Sequence, residues 1–169
     1  MAVYIWRMEF KKYLSKEQAL QKARHYCSYQ ERSHSEVKTK LYSLGLHKQE
    51  VEEALSQLIE ENCLNEERFA RQFAGGKFRM KQWGKIKIVY ELKQKQVSEY
   101  CIKKALEEIK ENDYLKTAHK LAQAKWNTLK TEKNQYVKMS KTTNYLLQKG
   151  FEGAIIKVIL PKLMEPSTR

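Results

Sequence analysis

Apolar residues recur along this chain at the spacing of one helix face, and the pattern returns about every fifty residues. Val51, Ala54, Leu55 and Leu58 have the i, i+3, i+4, i+7 spacing of an amphipathic helix. Shifts of 51 and then 54 positions give two further sets with the same spacing. These sets are Ile102, Ala105, Leu106 and Ile109, and then Ile156, Ile159, Leu160 and Leu163. The sequence therefore predicts a tandem array of three helical units.

A second apolar pair follows the same shifts and marks a turn between two helices in every unit. It is Leu41 and Leu46 in the first unit, and the equivalent pairs are Leu92 and Val97, then Leu146 and Phe151. We therefore expect three helices per unit. The ends of the repeats then define the domain boundaries of the chain. The predicted segments are an N-terminal tail or short extended segment at 1–14, repeats at 15–64, 65–114 and 115–164, and a C-terminal tail at 165–169.

Helix start and stop signals are clearest in the first repeat. Ser15 and Ser33 are each followed three residues later by Gln or Glu, the capping-box spacing that begins a helix. Gly45 follows the second predicted helix, where a left-handed residue can end it. The third helix is predicted from about His47 to Glu61.

Two positions in the second repeat conflict with a simple helical pattern. Ile86, Ile88 and Val89 are β-branched and favour a strand by propensity, but their register in the repeat favours a helix, which we predict. Gly75 and Gly76 lie within the first predicted helix of this repeat, and each costs about 1 kcal/mol relative to alanine. We expect a kink or an early stop there.

The third repeat is degenerate in its first two helices, as terminal repeats often are. Pro161 lies within its last predicted helix and should bend or shorten it, because proline lacks an amide hydrogen and its ring clashes with the preceding turn.

Composition supports helices and excludes some classes of protein. The 169 residues include only 2 prolines and 6 glycines, which argues against an all-β fold. No apolar stretch approaches the roughly 18 residues that cross a bilayer, and the N-terminus does not resemble a signal peptide. We therefore expect a cytoplasmic protein that does not bind membranes. Cys27, Cys63 and Cys101 are widely spaced and predict reduced thiols rather than a metal site.

Positive charge is concentrated in two segments. The chain has 33 Lys and Arg against 20 Asp and Glu, a net charge of +13, and residues 77–95 and 115–149 contribute +6 and +7 of it. By contrast, residues 50–67 contain seven glutamates and no basic residue. A phosphate backbone or an acidic protein would match such a surplus. The candidate DNA or filament-binding residues are Lys77, Arg79, Lys81, Lys85, Lys87, Lys93, Lys95, Lys116, Lys120 and Lys125.

Aromatic residues are interleaved with these cations and allow two interpretations. Phe78, Trp83, Tyr90 and Trp126 could stack on bases. Large aromatic residues at helical spacing more often pack in the core, and we favour that interpretation for them.

Two other function classes can be weighed against the sequence. A helix-turn-helix transcriptional regulator fits Leu44, Gly45 and Leu46, but its recognition helix would carry a run of glutamates that repel phosphates. No metal-binding motif, phosphate-binding glycine loop or catalytic triad is evident, so we expect neither an enzyme nor a cofactor.

Three runs of residues resemble a known family. The run from Arg32 to Leu41 is similar to its Arg…Ser-x-x-Glu-Leu-x-x-Lys-Leu signature, with Val37 in place of leucine. The run Leu64-Asn65-Glu66-Glu67-Arg68-Phe69-Ala70 resembles its junction between repeats, and Trp83-Gly84 followed by Ile86 and Leu92 resembles its second-repeat pattern. The chain thus resembles the RecX regulatory proteins, bacterial modulators of RecA recombinase, most closely over residues 15–110.

The resemblance implies a fold and a role. It implies an all-α protein of three tandem three-helix repeats in an elongated, curved array. It also implies binding in the groove of a RecA filament on single-stranded DNA, where the protein inhibits filament extension, ATPase activity and strand exchange without a cofactor or a small-molecule substrate. We expect a monomer, with the basic surface of the second and third repeats approaching the DNA and mixed or acidic surface meeting the recombinase.

Overall fold

A computed structural model describes residues 14–164, which form nine helices and contain no strand. The predicted all-α fold is therefore confirmed for this part of the chain. The predicted tail segments lie almost wholly outside the described residues. The helices are α1 (Lys16–Tyr29), α2 (His34–Ser43), α3 (Lys48–Glu60), α4 (Glu66–Lys81), α5 (Lys85–Gln94), α6 (Glu99–Glu107), α7 (Glu111–Thr128), α8 (Gln135–Lys149) and α9 (Gly153–Met164).

The predicted helix starts of the first repeat are confirmed as capping boxes. Ser15 Oγ accepts from the Gln18 amide at 3.3 Å, and the Gln18 side chain accepts from the Ser15 amide at 3.2 Å. Ser33 and Glu36 make the same reciprocal pair at 3.2 and 3.0 Å. Gly45 follows α2 with a φ of 96°, the left-handed conformation that was predicted there.

The turn after the second helix keeps its conformation in all three repeats. The equivalent of Gly45 is Gln96 in the second repeat and Gly150 in the third, and their φ values are 60° and 90°. Glycine adopts this conformation without strain, whereas glutamine does not, so the geometry of the repeat holds at Gln96 despite a local cost.

The chain divides into two compact units. Unit 1 ends at residue 65 and contains α1 to α3, and unit 2 begins at residue 66 and contains α4 to α9. Each has its own apolar core, and the core of unit 2 is continuous across the second and third repeats. Tyr114 is fully buried in that core, with its ring centroid 5.9 Å from that of Phe78 and 5.1 Å from that of Phe151.

The conflicts within the second and third repeats are resolved by packing. Ile86, Ile88 and Val89 lie in α5, as the repeat register predicted. Of the two expectations at Gly75 and Gly76, the early stop is wrong, because α4 continues through both residues, and the kink stays a prediction. Its buried residues, which include aromatic side chains on both sides of the glycines, pack against α6 and offset the local cost.

The last helix also continues beyond its proline. Pro161 lies inside α9, which extends to Met164, so the proline does not end the helix. Ile156, Ile159 and Leu160 of α9 are buried in the core of unit 2, as the apolar pattern predicted.

Candidate nucleic-acid interface

The two basic segments meet where the turn between α4 and α5 contacts the end of α8. The Gly84 amide donates to the Lys149 carbonyl at 2.8 Å, and the Ile86 amide donates to the Gly150 carbonyl at 3.0 Å. A Cβ atom on Gly84 would lie 2.1 Å from the Gly150 carbonyl oxygen, which no side chain tolerates. The two glycines therefore allow a backbone contact that joins segments about 65 residues apart in sequence.

Tyr114 stabilises this junction from the core. Its hydroxyl accepts from the Lys85 amide at 2.9 Å and donates to the Glu152 carboxylate. Burial raises the pKa of the Tyr114 phenol, and the hydrogen bond to Glu152 raises it further, so the group remains a donor at neutral pH. One side chain on α7 thus connects the start of α5 to the turn before α9.

Lysines surround two aromatic rings at the junction. The ammonium groups of Lys77 and Lys87 lie 5.2 and 4.7 Å from the ring centroid of Trp83. Those of Lys125 and Lys149 lie 5.7 and 5.8 Å from that of Tyr145. In such cation–π contacts the stem packs along the ring while the charge remains near water.

The Lys81 carbonyl and the ring of Phe73 make further contacts with lysines at the junction. Lys149 Nζ donates to the Lys81 carbonyl at 3.5 Å, and Lys77 and Lys95 lie 5.1 and 5.8 Å from the ring centroid of Phe73. We call the resulting set the junction cluster. Its members are Lys77, Lys81, Lys87, Lys95, Lys125 and Lys149 with the rings of Phe73, Trp83 and Tyr145.

Five of the ten predicted candidate residues belong to the junction cluster, and two others are paired with carboxylates. Lys85 Nζ lies 3.1 Å from a carboxylate oxygen of Glu111 and is half-buried. Lys93 Nζ lies 3.3 Å from a carboxylate oxygen of Glu99. These ion pairs reduce the charge that Lys85 and Lys93 can offer to an external phosphate.

The remaining three candidates lie elsewhere on unit 2. The Arg79 guanidinium folds back along α4 towards Gly75. Lys116 and Lys120 are exposed on α7, but at 100° per residue they point roughly 140 to 180° away from Lys125. The structure therefore does not bring Lys116 and Lys120 to the side of α7 on which Lys125 lies.

Lys149 and two of the rings were missed by the sequence interpretation. Lys149 was counted in the second basic segment but was not selected as a candidate. The repeat could have placed Lys149 at a turn, because Lys149 directly precedes Gly150, the third-repeat equivalent of Gly45. Phe73 and Tyr145 gave no such signal, since half-buried aromatic residues on helices are usually core residues.

Comparison with known proteins identifies all three repeats. Models of the first, second and third three-helix domains of RecX match residues 19–58, 65–106 and 111–160. The chain belongs to the RecX family. The resemblance found in the sequence is thereby confirmed, together with the repeat fold.

Individual RecX proteins match over most of this chain. The regulatory protein RecX of Clostridium perfringens strain 13 is 34% identical over 78% of this chain and 62% of its own length. RecX of Prosthecochloris aestuarii is 30% identical over 86% of this chain and 93% of its own length. The crystal structure of RecX from Lactobacillus salivarius superimposes with a TM-score of 0.80 at 26% identity, covering 88% of this chain and 96% of that one. The chain spans somewhat less than two thirds of the clostridial relatives.

The aromatic residues of this RecX family member divide between core and surface. Phe78 and Trp126 are buried, so the core interpretation is confirmed for them, and Trp83 is half-buried. The interpretation is wrong for Tyr90, which is 60% exposed on α5.

Three of the seven glutamates in the acidic segment of this RecX chain form ion pairs within unit 1. Lys16 bonds to Glu53, Lys38 Nζ lies 2.5 Å from a carboxylate oxygen of Glu52, and Arg24 forms a bidentate pair with Glu61 at 2.6 and 2.7 Å. Hydrogen bonding to the Arg24 guanidinium lowers the pKa of the Glu61 carboxyl to about 2.

Two features are absent from the described residues. No helix between residues 14 and 164 has the length and hydropathy needed to span a membrane. The same residues contain no group of three or more His, Cys, Asp or Glu side chains arranged to hold a metal ion.

Proposed function

We propose that this protein binds the RecA filament on single-stranded DNA and restrains filament extension, ATPase activity and strand exchange. The observation that carries the proposal is the junction cluster, in which two basic segments of a RecX family chain converge around half-buried rings. The proposal needs no cofactor and no catalytic residue. It assumes a cytoplasmic protein that acts as a monomer.

Electrostatics support a nucleic-acid component in the target. Residues 66–164 contain 22 Lys and Arg against 10 Asp and Glu, so unit 2 has a net charge of +12. Each phosphate that a lysine neutralises releases counterions, and binding through about four to six contacts would weaken steeply with salt. Clustered lysines beside aromatic rings also suit a flexible single strand better than a duplex groove.

The arrangement of α3 disfavours sequence-specific duplex binding. In a helix-turn-helix regulator α3 would enter the major groove, and its first turns carry Glu50, Glu52 and Glu53. Glu52 and Glu53 are paired with Lys38 and Lys16, so this surface has no excess of positive charge to offer to phosphates. The same helix is better suited to a protein surface.

A titration tests the proposal. The purified chain is added to RecA in an ATPase assay that depends on single-stranded DNA. We expect inhibition at stoichiometric amounts. Undiminished ATPase activity would contradict the proposal, and tight, sequence-selective duplex binding would instead support the transcriptional regulator.

Charge replacement within the cluster sharpens the test. The triple variant Lys81→Gln, Lys87→Gln, Lys149→Gln should weaken binding to the filament and flatten its salt dependence by up to about three counterion equivalents. The control variant removes the same charge from exposed lysines of unit 2 outside the cluster, Lys103, Lys110 and Lys157. Equal effects of the two variants would mean that net charge, rather than the cluster, determines binding.

A further inference from the structure

Two large apolar side chains project from the outer face of α5. Ile86 and Tyr90 are 53% and 60% exposed, and their i, i+4 spacing places them next to each other on one side of the helix. The opposite side of α5 carries Ile88 and Leu92, which are fully buried. Ile86 and Tyr90 are therefore not needed to attach α5 to the core of unit 2.

The repeat shows that these two residues are specific to α5. The equivalent positions in α2 are Ser35 and Thr39, and those in α8 are Ser140 and Asn144. Thr39, Ser140 and Asn144 are exposed, and Ser35 is partly so. At these equivalent outward-facing positions, α2 and α8 carry polar residues, whereas α5 carries apolar ones. Helix propensity does not explain the exception, because isoleucine and tyrosine are about as good helix formers as the serine, threonine and asparagine at the equivalent positions.

The flanking charge indicates what could cover this face. Lys87 lies beside Ile86, and Lys93, whose ammonium group is paired with Glu99, lies beside Tyr90; unit 2 as a whole is basic. An apolar pair bordered by lysines complements a protein surface that has an apolar patch bordered by carboxylates. A base could stack on Tyr90, but the branched aliphatic side chain of Ile86 has no π-face to stack on.

We propose that the outer face of α5, formed by Ile86 and Tyr90, docks onto an apolar, acid-rimmed patch on the protein component of the filament. The proposal rests on the proposed function, because it assumes that the target is a filament with both a DNA component and a protein component. The junction cluster contacts the phosphates, and the α5 face contacts protein.

The test replaces the α5 face with that of α2. The variant Ile86→Ser, Tyr90→Thr carries the residues of the first repeat at the same register. Its control, Tyr100→Thr, Val158→Ser, removes a similarly exposed pair from other helices of unit 2, where Tyr100 and Val158 are 64% and 57% exposed. Circular dichroism establishes that both variants retain their helices. Affinity is measured for the RecA filament and, separately, for a dye-labelled oligothymidylate alone.

The two affinities distinguish the possible outcomes. We expect the α5 variant to lose about tenfold in affinity for the filament, with the control unaffected and affinity for the oligothymidylate unchanged. Unchanged filament affinity would overturn the proposal, and a parallel loss of oligothymidylate affinity would assign the face to nucleic acid instead. A parent chain that does not bind the filament would refute the proposed function itself, and this inference with it.

Discussion

The second helices of the first two repeats begin at equivalent positions but are stabilised by different groups. At the start of α2, Ser33 caps the helix and Glu36 completes the capping box. The equivalents at the start of α5 are Gly84 and Lys87, neither of which can supply that cap. The Tyr114 hydroxyl accepts the first amide of α5 instead. The difference shows that a tertiary contact can replace a local cap. The position equivalent to Glu36 is then no longer needed for capping, and in α5 it is occupied by the cation Lys87.

A second pair of equivalent positions exchanges its chemistry altogether. In unit 1 the Arg32 guanidinium lies 4.0 Å from the ring centroid of Tyr26. The equivalents in unit 2 are Trp83 and Lys77, so the ring and the cation have changed places, at 5.2 Å. The cation–π contact between the first helix of the repeat and the turn that follows is thus retained. In unit 1 the cation lies in the turn, and in unit 2 it lies on the helix.

The two units consequently differ in how their charges are used. Residues 14–65 contain 7 Lys and Arg against 8 glutamates, and three of these cations pair with Glu52 and Glu53 of α3 and with Glu61, which follows α3. In unit 2 the lysines of the junction cluster other than Lys81 pack on aromatic rings. Unit 1 therefore has almost no net field, whereas unit 2 can attract an anion over a distance of about a Debye length, roughly 8 to 10 Å.

Restoring the serine of the first repeat to the second should have the largest effect. The variant Gly84→Ser would place a Cβ atom 2.1 Å from the Gly150 carbonyl oxygen, and backbone at both sites would have to move. We expect a loss of about 3 kcal/mol or more in the unfolding free energy of unit 2, measured by urea denaturation. In the control Gly76→Ala, the new Cβ atom meets nothing within 4 Å, and we expect stabilisation of about 0.5 to 1 kcal/mol. A well-tolerated serine would mean that α5 and α8 are not in close contact.

Removing the tertiary cap should have the next largest effect. Tyr114→Phe leaves the Lys85 amide without its acceptor and Glu152 without a buried donor, at a cost of about 2 kcal/mol. Tyr90→Phe, on the exposed face of α5, should cost nothing measurable. If the two variants lose the same amount of stability, the hydroxyl of Tyr114 does not cap α5.

The same hydroxyl predicts a pH dependence with a definite sign. Because the pKa of Tyr114 is raised in the folded state, the phenol binds its proton more tightly there than in the unfolded chain. The associated stabilisation is fully present below the unfolded pKa of about 10 and is lost as pH rises above it. The stability difference between the parent and Tyr114→Phe should therefore narrow above pH 10, which urea denaturation at several pH values can measure. A constant difference would contradict the raised pKa.

Removing the local cap in unit 1 should have a smaller effect than removing Tyr114. Ser33→Ala deletes one half of the capping box of α2 and should cost about 1 kcal/mol, whereas Ser33→Gly should cost only a few tenths. Hydrogen exchange of the α2 amides in the intact chain measures the loss. Ser56→Ala, on the exposed side of α3, is the control. If Ser33→Ala lost more stability than Tyr114→Phe, the local cap of α2 would contribute more than the tertiary cap of α5, contrary to this prediction.

The repeat was predictable because its signals are local and periodic. Val51, Ala54 and Leu58 lie on one helix face, and Ser15 and Ser33 cap helices through residues three positions away. Such short-range patterns are independent of tertiary context. They allowed the all-α repeat fold, the starts of α1 and α2, the end of α2 and the span of α3 to be predicted from sequence.

The junction cluster was only partly predictable because it depends on contacts between distant segments. Lys77, Lys81 and Lys87 were selected for their charge, but the pairing of Lys85 with Glu111 depends on how α5 and α7 pack. Nothing in the sequence near Gly84 indicates that Gly150 lies against it. The continuation of α4 through its glycines has the same origin, since the packing of α4 against α6 compensates for a local penalty.

The smallest expected effect concerns the ion pairs that distinguish unit 1 from unit 2. Arg24 holds the pKa of the Glu61 carboxyl near 2, so the pair stabilises the folded state above the ordinary carboxyl pKa and is lost as pH falls towards 2. In Arg24→Gln, an NMR titration should show the Glu61 pKa rising towards about 4.3. Lys16→Gln, which removes the partner of Glu53, should leave the Glu61 pKa unchanged. Because both groups are on the surface, salt should reduce the shift. A Glu61 pKa that is unaffected by Arg24→Gln would mean that Arg24 does not neutralise Glu61, and the contrast between the paired charges of unit 1 and the junction cluster of unit 2 would lose this pair.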